Sequence, residues 1–131
     1  MAYLLDTNIA IHATEGHPGV LQKLLQHETS VLLSALCFAE LQRGIHRHAS
    51  LAPSRRVALE LLLRTIPVIP FDAMAAEAYG RIIALCGWAK GKGFDRMIAA
   101  HAISVSAILV TDNTAAFKGI PGLSLENWAR A

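Results

Sequence analysis

Short aliphatic runs that stop abruptly on polar residues constrain this chain most. Tyr3–Leu5 reads as a buried strand and runs straight into Asp6. "SVLLS" is a second such run, closed by Ser34, and "AILVT" is a later one, followed at once by Asp112. Between them, apolar residues recur at helical spacing. "HPGVLQKLLQHE" carries Pro18 near its start and Val20, Leu21, Leu24 and Leu25 on one face. "ALCFAELQRGIHRH" follows Ser34, a good helix cap, and Pro53–Arg64 adds a leucine stripe. "IPVIPF" is extended, but its prolines suit a sheet edge and not a centre. Asp72 opens the helix "AMAAEAYGRIIALC", "GWAKGKG" reads as a glycine-rich loop, and Asp95 starts "RMIAAHAISVS". "DNTAAF" gives a turn with a short helix, and "LSLENW" a last strand. Strands alternating with helices predict an α/β sandwich with a mostly parallel sheet.

The 131 residues suit one domain, expected to span 1–131. Hydrophobic residues make up 53% and charged residues 17%, which predicts a filled interior plus apolar surface reserved for a partner. The N-terminus lacks a secretory pattern, and the most apolar stretch, "MIAAHAISVSAILV", is too short and interrupted for a membrane span. Cys37 and Cys86 sit singly in apolar helical patterns, as buried thiols of a reducing cytoplasm do, so a cytoplasmic location is expected. The net charge of +2 identifies no partner, but its distribution says more. From Leu41 to Leu59 there are Arg43, His46, Arg47, His48, Arg55 and Arg56 and no acid. Lys90, Lys92 and Arg96 form a second basic group. Either group alone is an ordinary solvated face; both together, near carboxylates, can track a polyanion backbone.

The acids sharpen this reading. Asp6 and Asp112 follow strands, and in parallel α/β sheets sites form at the C-terminal strand edge. Asp95 opens a helix after a loop, and Glu40 stands among Phe38, Ala39 and Leu41. Each has a plain structural explanation: caps for Asp6 and Asp95, a turn for Asp112, a solvated helix position for Glu40. Crowded together, carboxylates repel one another unless a cation holds them. Mg²⁺ or Mn²⁺ suits such oxygen donors, and no His/Cys spacing suggests zinc. Phosphoryl chemistry follows, and without a P-loop a nucleic-acid phosphodiester is the natural substrate.

In order, "LLDTN", "SALCFAELQRG", "FDRMIAAHA", "ILVTDNTAAF" and "GLSLENW" resemble the PIN-domain ribonucleases, and more narrowly the VapC toxins of type II toxin–antitoxin systems. The resemblance runs from Tyr3 to Trp128. It implies a PIN-like three-layer α/β/α sandwich and Mg²⁺- or Mn²⁺-dependent endoribonuclease activity. The RNA substrate would be a tRNA or rRNA loop, translation being inhibited until a VapB-like antitoxin neutralises the toxin. It also implies a homodimer. By position, Asp6, Glu40 and Asp95 become the catalytic, metal-holding acids, with Thr7 and Asn8 supporting Asp6 by hydrogen bonds. PIN domains often carry an acid just after the late strand. Counting back from Phe117, that position is Asn113, and strand alternation sends Asp112 to the opposite side. Asn113 is therefore expected to line the site, and Asp112 stays open. "CGWAKGKGFD" is shorter than the family's usual connection and richer in Gly and Lys.

Thr111 is a candidate hydrogen-bond donor to a ligand carboxylate. Arg43, Arg47, Lys90, Lys92 and Arg96 are candidate RNA contacts. Trp88 either stacks on a base or packs on the domain. His101, about one and two-thirds helical turns from Asp95, reads as a core or interface histidine. A phosphatase using Asp6 as nucleophile needs a second acid two residues on, where this chain has Asn8. A catalytically degenerate PIN-fold module that only binds RNA or protein is opposed by the intact acids.

Overall fold

In the computed structural model, which describes residues 1–130, the aliphatic runs join one parallel sheet. Ala131, the last residue of the expected 1–131 domain, lies outside the described residues. The strands are β1 (Ala2–Leu5), β2 (Val31–Ser34), β3 (Val68–Ile69), β4 (Ala107–Val110) and β5 (Leu125–Glu126), in the spatial order β3-β2-β1-β4-β5. β3, between Pro67 and Pro70, is an edge strand, as its prolines require. The helices are α1 (Thr7–Thr14), α2 (Pro18–Gln26), α3 (Ala35–Arg47), α4 (Ala52–Leu62), α5 (Ala73–Cys86) and α6 (Gly93–Ser104), with a 3₁₀ turn at Thr114–Phe117.

The chain steps one way from β1 to β3, then returns across the sheet to β4. Right-handed crossovers therefore set α1–α4 on one face and α5–α6 on the other. Packing agrees: α1 contacts α2, α3 and α4, whereas α5 runs along α6, which rests on β4. The strand order reverses between β1 and β4, so the crevice between their C-terminal ends is the place where such sheets bind ligands. Leu4, Leu5, Leu33, Leu109 and Val110 are fully buried and make that edge rigid. No helix among the described residues is long and apolar enough to cross a membrane.

Two local features differ from expectation. Thr7 and Asn8 begin α1, a helix that no apolar stripe in the sequence announces and that follows β1 with no loop. "TNIAIHAT" is rich in β-branched residues and weak in helix propensity, so burial of Ile9, Ala10 and Ala13 is what draws it into a helix. α6 starts at Gly93, so Asp95 sits in its first turn and Lys92 takes the cap position without a side-chain bond. A carboxylate there is favoured by the helix dipole. The thiols Cys37 and Cys86 are free.

Leu4→Ala should cost about 2–5 kcal/mol, because it opens a cavity in the central strand. Urea unfolding of the variant against wild type reads this directly.

Candidate active site

Register places the polar groups. Leu5 pairs with Leu33 on β2 and with Val110 on β4. The next residue on each strand, Asp6, Ser34 and Thr111, therefore falls in one row across the sheet edge. These residues and His101 are the buried polar side chains among the described residues. Ser34 caps α3, its Oγ accepting from the Leu36 N–H at 3.1 Å, and lies 2.8 Å from His101 Nδ1. Burial pushes the His101 pKa down, opposed by the Asp72 charge and a bond to the Pro70 backbone. His101 is thus a core histidine, with Phe71 edge-on to its ring.

Asp6 is the centre of the arrangement. Its Oδ1 accepts from the Thr7 N–H at 2.8 Å, and its Oδ2 accepts from the Thr111 hydroxyl at 2.9 Å. The same hydroxyl accepts from the Asn113 N–H at 3.0 Å. Burial raises the Asp6 pKa most; the Thr111 and Thr7 bonds counter it, and the charges of Asp95 and Glu40 push it further up. On α3, Glu40 Oε1 accepts from the Thr7 hydroxyl at 2.5 Å, and Oε2 lies 3.9 Å from Arg43. Burial also raises Asp95, aided by Glu40 and countered by Lys92. Beneath these acids, burial pushes the Cys37 thiol up to about 12, leaving it an inert core group.

A cleft of about 310 Å³ collects Asp6, Glu40, Asp95 and Asn113 with Asn8, Arg43 and Arg47. Some expected residues fall elsewhere. Among the described residues Asn8 makes no side-chain hydrogen bond; it is exposed at the cleft and does not support Asp6. Thr7 supports Asp6 through its backbone and spends its hydroxyl on Glu40. Asp112 points away from the cleft, its Oδ2 2.9 Å from His12 Nε2. Arg96 donates to the Gly87 carbonyl at the end of α5, closing the base of the glycine-rich loop and leaving the cleft without it. Lys90 is exposed on that loop, outside the cleft, while Lys92 acts on Asp95 by charge. Trp88 is 71% exposed and does not pack on the domain. The His12–Asp112 pair had no signal in the sequence, since 100 positions separate its members.

The donor set is all oxygen, which suits a hard divalent ion. Burial is the main cause of the raised Asp6 and Asp95 and the charges of neighbouring acids add to it, so a cation beside them would favour both ionised forms. Among the described residues no three His, Cys, Asp or Glu side chains stand close enough for a ready cage. The residues therefore fit an ion held by one or two carboxylates, with water completing its shell, as Mg²⁺ prefers.

The PIN domain family model matches residues 3–123. Ribonuclease VapC2 of Rickettsia felis is 35% identical over 134 residues, covering 98% of each chain. The chain belongs to the VapC family of PIN-domain proteins. The tRNA(fMet)-specific endonuclease VapC of Shigella flexneri is 35% identical over 133 residues, covering 98% of this chain and 99% of that one. Among solved structures, VapBC2 from Rickettsia felis bound to a promoter DNA fragment matches with TM-score 0.85 and 34% identity, over 98% of this chain and 99% of that one. DNA-bound VapBC from Salmonella typhimurium matches with TM-score 0.87 and 26% identity, over 98% of both.

The acids of this PIN domain leave a mark on stability. Asp6 and Asp95 bind protons more tightly folded than unfolded. Their contribution favours folding below the raised values and is lost as pH rises through them. Asp6→Asn cannot ionise. It should lose less stability than wild type as pH rises above about 4, read by urea unfolding in chelator.

Proposed function

We propose that the protein is a metal-dependent endoribonuclease toxin of a type II toxin–antitoxin system, cutting a tRNA or rRNA loop. The observation that carries this is the convergence of Asp6, Glu40 and Asp95 in a cleft edged by Arg43 and Arg47. A Mg²⁺ or Mn²⁺ ion would be held by Asp6 and Asp95, with Glu40 beside them. When bound, such an ion supplies Lewis acidity that eases deprotonation of water and offsets charge on the phosphate. The chain's own groups do the rest. Thr111 and the Thr7 backbone fix the Asp6 carboxylate. Thr7 holds Glu40 by Oε1, leaving Oε2 to accept the proton of the attacking water. Arg43 and Arg47 take the phosphate on the cleft rim, and Asn113 offers an amide to the scissile region.

The apolar surface fits partners. A cavity of about 520 Å³ between α1, α3 and α4 reaches Glu40, and a neighbouring one of about 490 Å³ is walled by Leu21, Leu25 and Leu61. Both suit an antitoxin segment laid over the helices and against the site, in keeping with VapBC complexes of the relatives. Met74 and Leu85, about three turns apart on α5, are exposed with Trp88 and offer a face to a second copy in a homodimer. Free, buried or half-buried thiols suit the cytoplasm.

Purified protein should cleave tRNA or rRNA only with Mg²⁺ or Mn²⁺. Asp6→Ala and Asp95→Ala should each lower the rate by at least about a hundredfold and abolish toxicity in a host. Cleavage that survives chelator, or equal toxicity of Asp6→Ala, would overturn this reading.

A further inference from the structure

We propose that His12 is a positioning residue: through Asp112 it latches the turn after β4, so that Thr111 holds Asp6 and Asn113 faces the cleft. The sheet ladder gives out at this point. Thr111 still donates its N–H to the Glu126 carbonyl at 2.9 Å; among the described residues the next backbone-to-backbone bond is in the 3₁₀ turn, where Ala116 donates to the Asn113 carbonyl at 3.2 Å. Between them, Asp112 reaches across to α1, and His12 Nε2–H donates to its carboxylate at 2.9 Å. Alternation along the backbone then turns the neighbouring Thr111 and Asn113 the other way.

The contacts close a ring. Asp6 caps α1, and His12 lies six residues along it, about 9 Å of helix. From His12 the ring passes to Asp112, through Thr111, and back to Asp6 by the 2.9 Å hydroxyl bond. The imidazole is itself braced. His17 sits edge-on to it with ring centroids 5.2 Å apart and donates its N–H to the His12 carbonyl at 2.9 Å. His17 in turn is fixed by Nδ1, which accepts from the Val20 N–H at 3.2 Å. His12 and Asp112 are 32% and 26% exposed, so their pairing adds little to global stability. Its effect is on the geometry of the cleft, where small misplacements are costly.

The activity arm of the test rests on the ribonuclease reading; a hydrogen-exchange arm does not. His12→Ala and Asp112→Ala should each speed amide exchange at Asn113, whose N–H depends on the Thr111 hydroxyl. Each should lower kcat about tenfold with KM nearly unchanged and the unfolding midpoint intact. The double variant should be no worse than either single one. Asp112→Asn keeps an oxygen acceptor for His12 and should recover most of both losses relative to Asp112→Ala. Unchanged exchange at Asn113 in both alanine variants overturns the latch. So does a harmless His12→Ala beside an Asp112→Asn as damaging as Asp112→Ala, which would make the carboxylate itself a cleft group. If wild type does not cut RNA, the ribonuclease reading fails and the exchange data still decide the latch.

Discussion

The hydrogen bond from Thr111 to the buried carboxylate of Asp6 is the contact on which the site depends. It exists because β1 and β4 run parallel with Leu5 opposite Val110, which brings two residues 105 positions apart to the same level. A carboxylate buried this far is costly to ionise, and among the described residues two donors, the Thr7 N–H and the Thr111 hydroxyl, oppose the cost. The rigid aliphatic strands beneath it prevent Asp6 from retreating to solvent. The acid is thus held in an unfavourable state at a fixed place, the condition under which a cation gains most by binding.

Around that contact the helices add one group each. α1 grows directly from the Asp6 cap and lends Thr7, whose N–H and hydroxyl tie Asp6 to Glu40 on α3. α6 brings Asp95 in from the opposite face of the sheet, in its first turn. Because each acid stands on a different regular element, their separation is set by packing of the domain and not by a loop. Arg43 and Arg47 are exposed on α3 at the rim of the cleft, where Arg43 pairs loosely with Glu40 and both can meet a phosphate.

Much of this was legible in the sequence, for identifiable reasons. Strands of three or four aliphatic residues closed by a polar one announce a buried parallel sheet, and Pro67 and Pro70 mark its edge. Asp72 and Ser34 cap their helices as their types suggest. Asp112 and Asn113 separate by alternation, and the structure puts Asn113 in the cleft and Asp112 outside it. The failures are equally physical. α1 was invisible because its propensity is poor and its formation depends on tertiary burial. Asn8 lies two positions from Asp6 and Arg96 next to Asp95, yet residues one or two apart on a helix point about 100° or 200° apart, so closeness in sequence did not make them partners. The His12–Asp112 pair is a long-range contact that no local pattern encodes.

Under the proposed function, Asp6, fixed by Thr111, anchors a divalent-ion site shared with Asp95. A crystal soaked in Mn²⁺ and measured for anomalous scattering tests it most directly. A peak is expected within coordination distance of an Asp6 oxygen on the Asp95 side, lost in Asp6→Ala crystals. Absence of a peak there at saturating Mn²⁺, or a peak that survives Asp6→Ala, would contradict it.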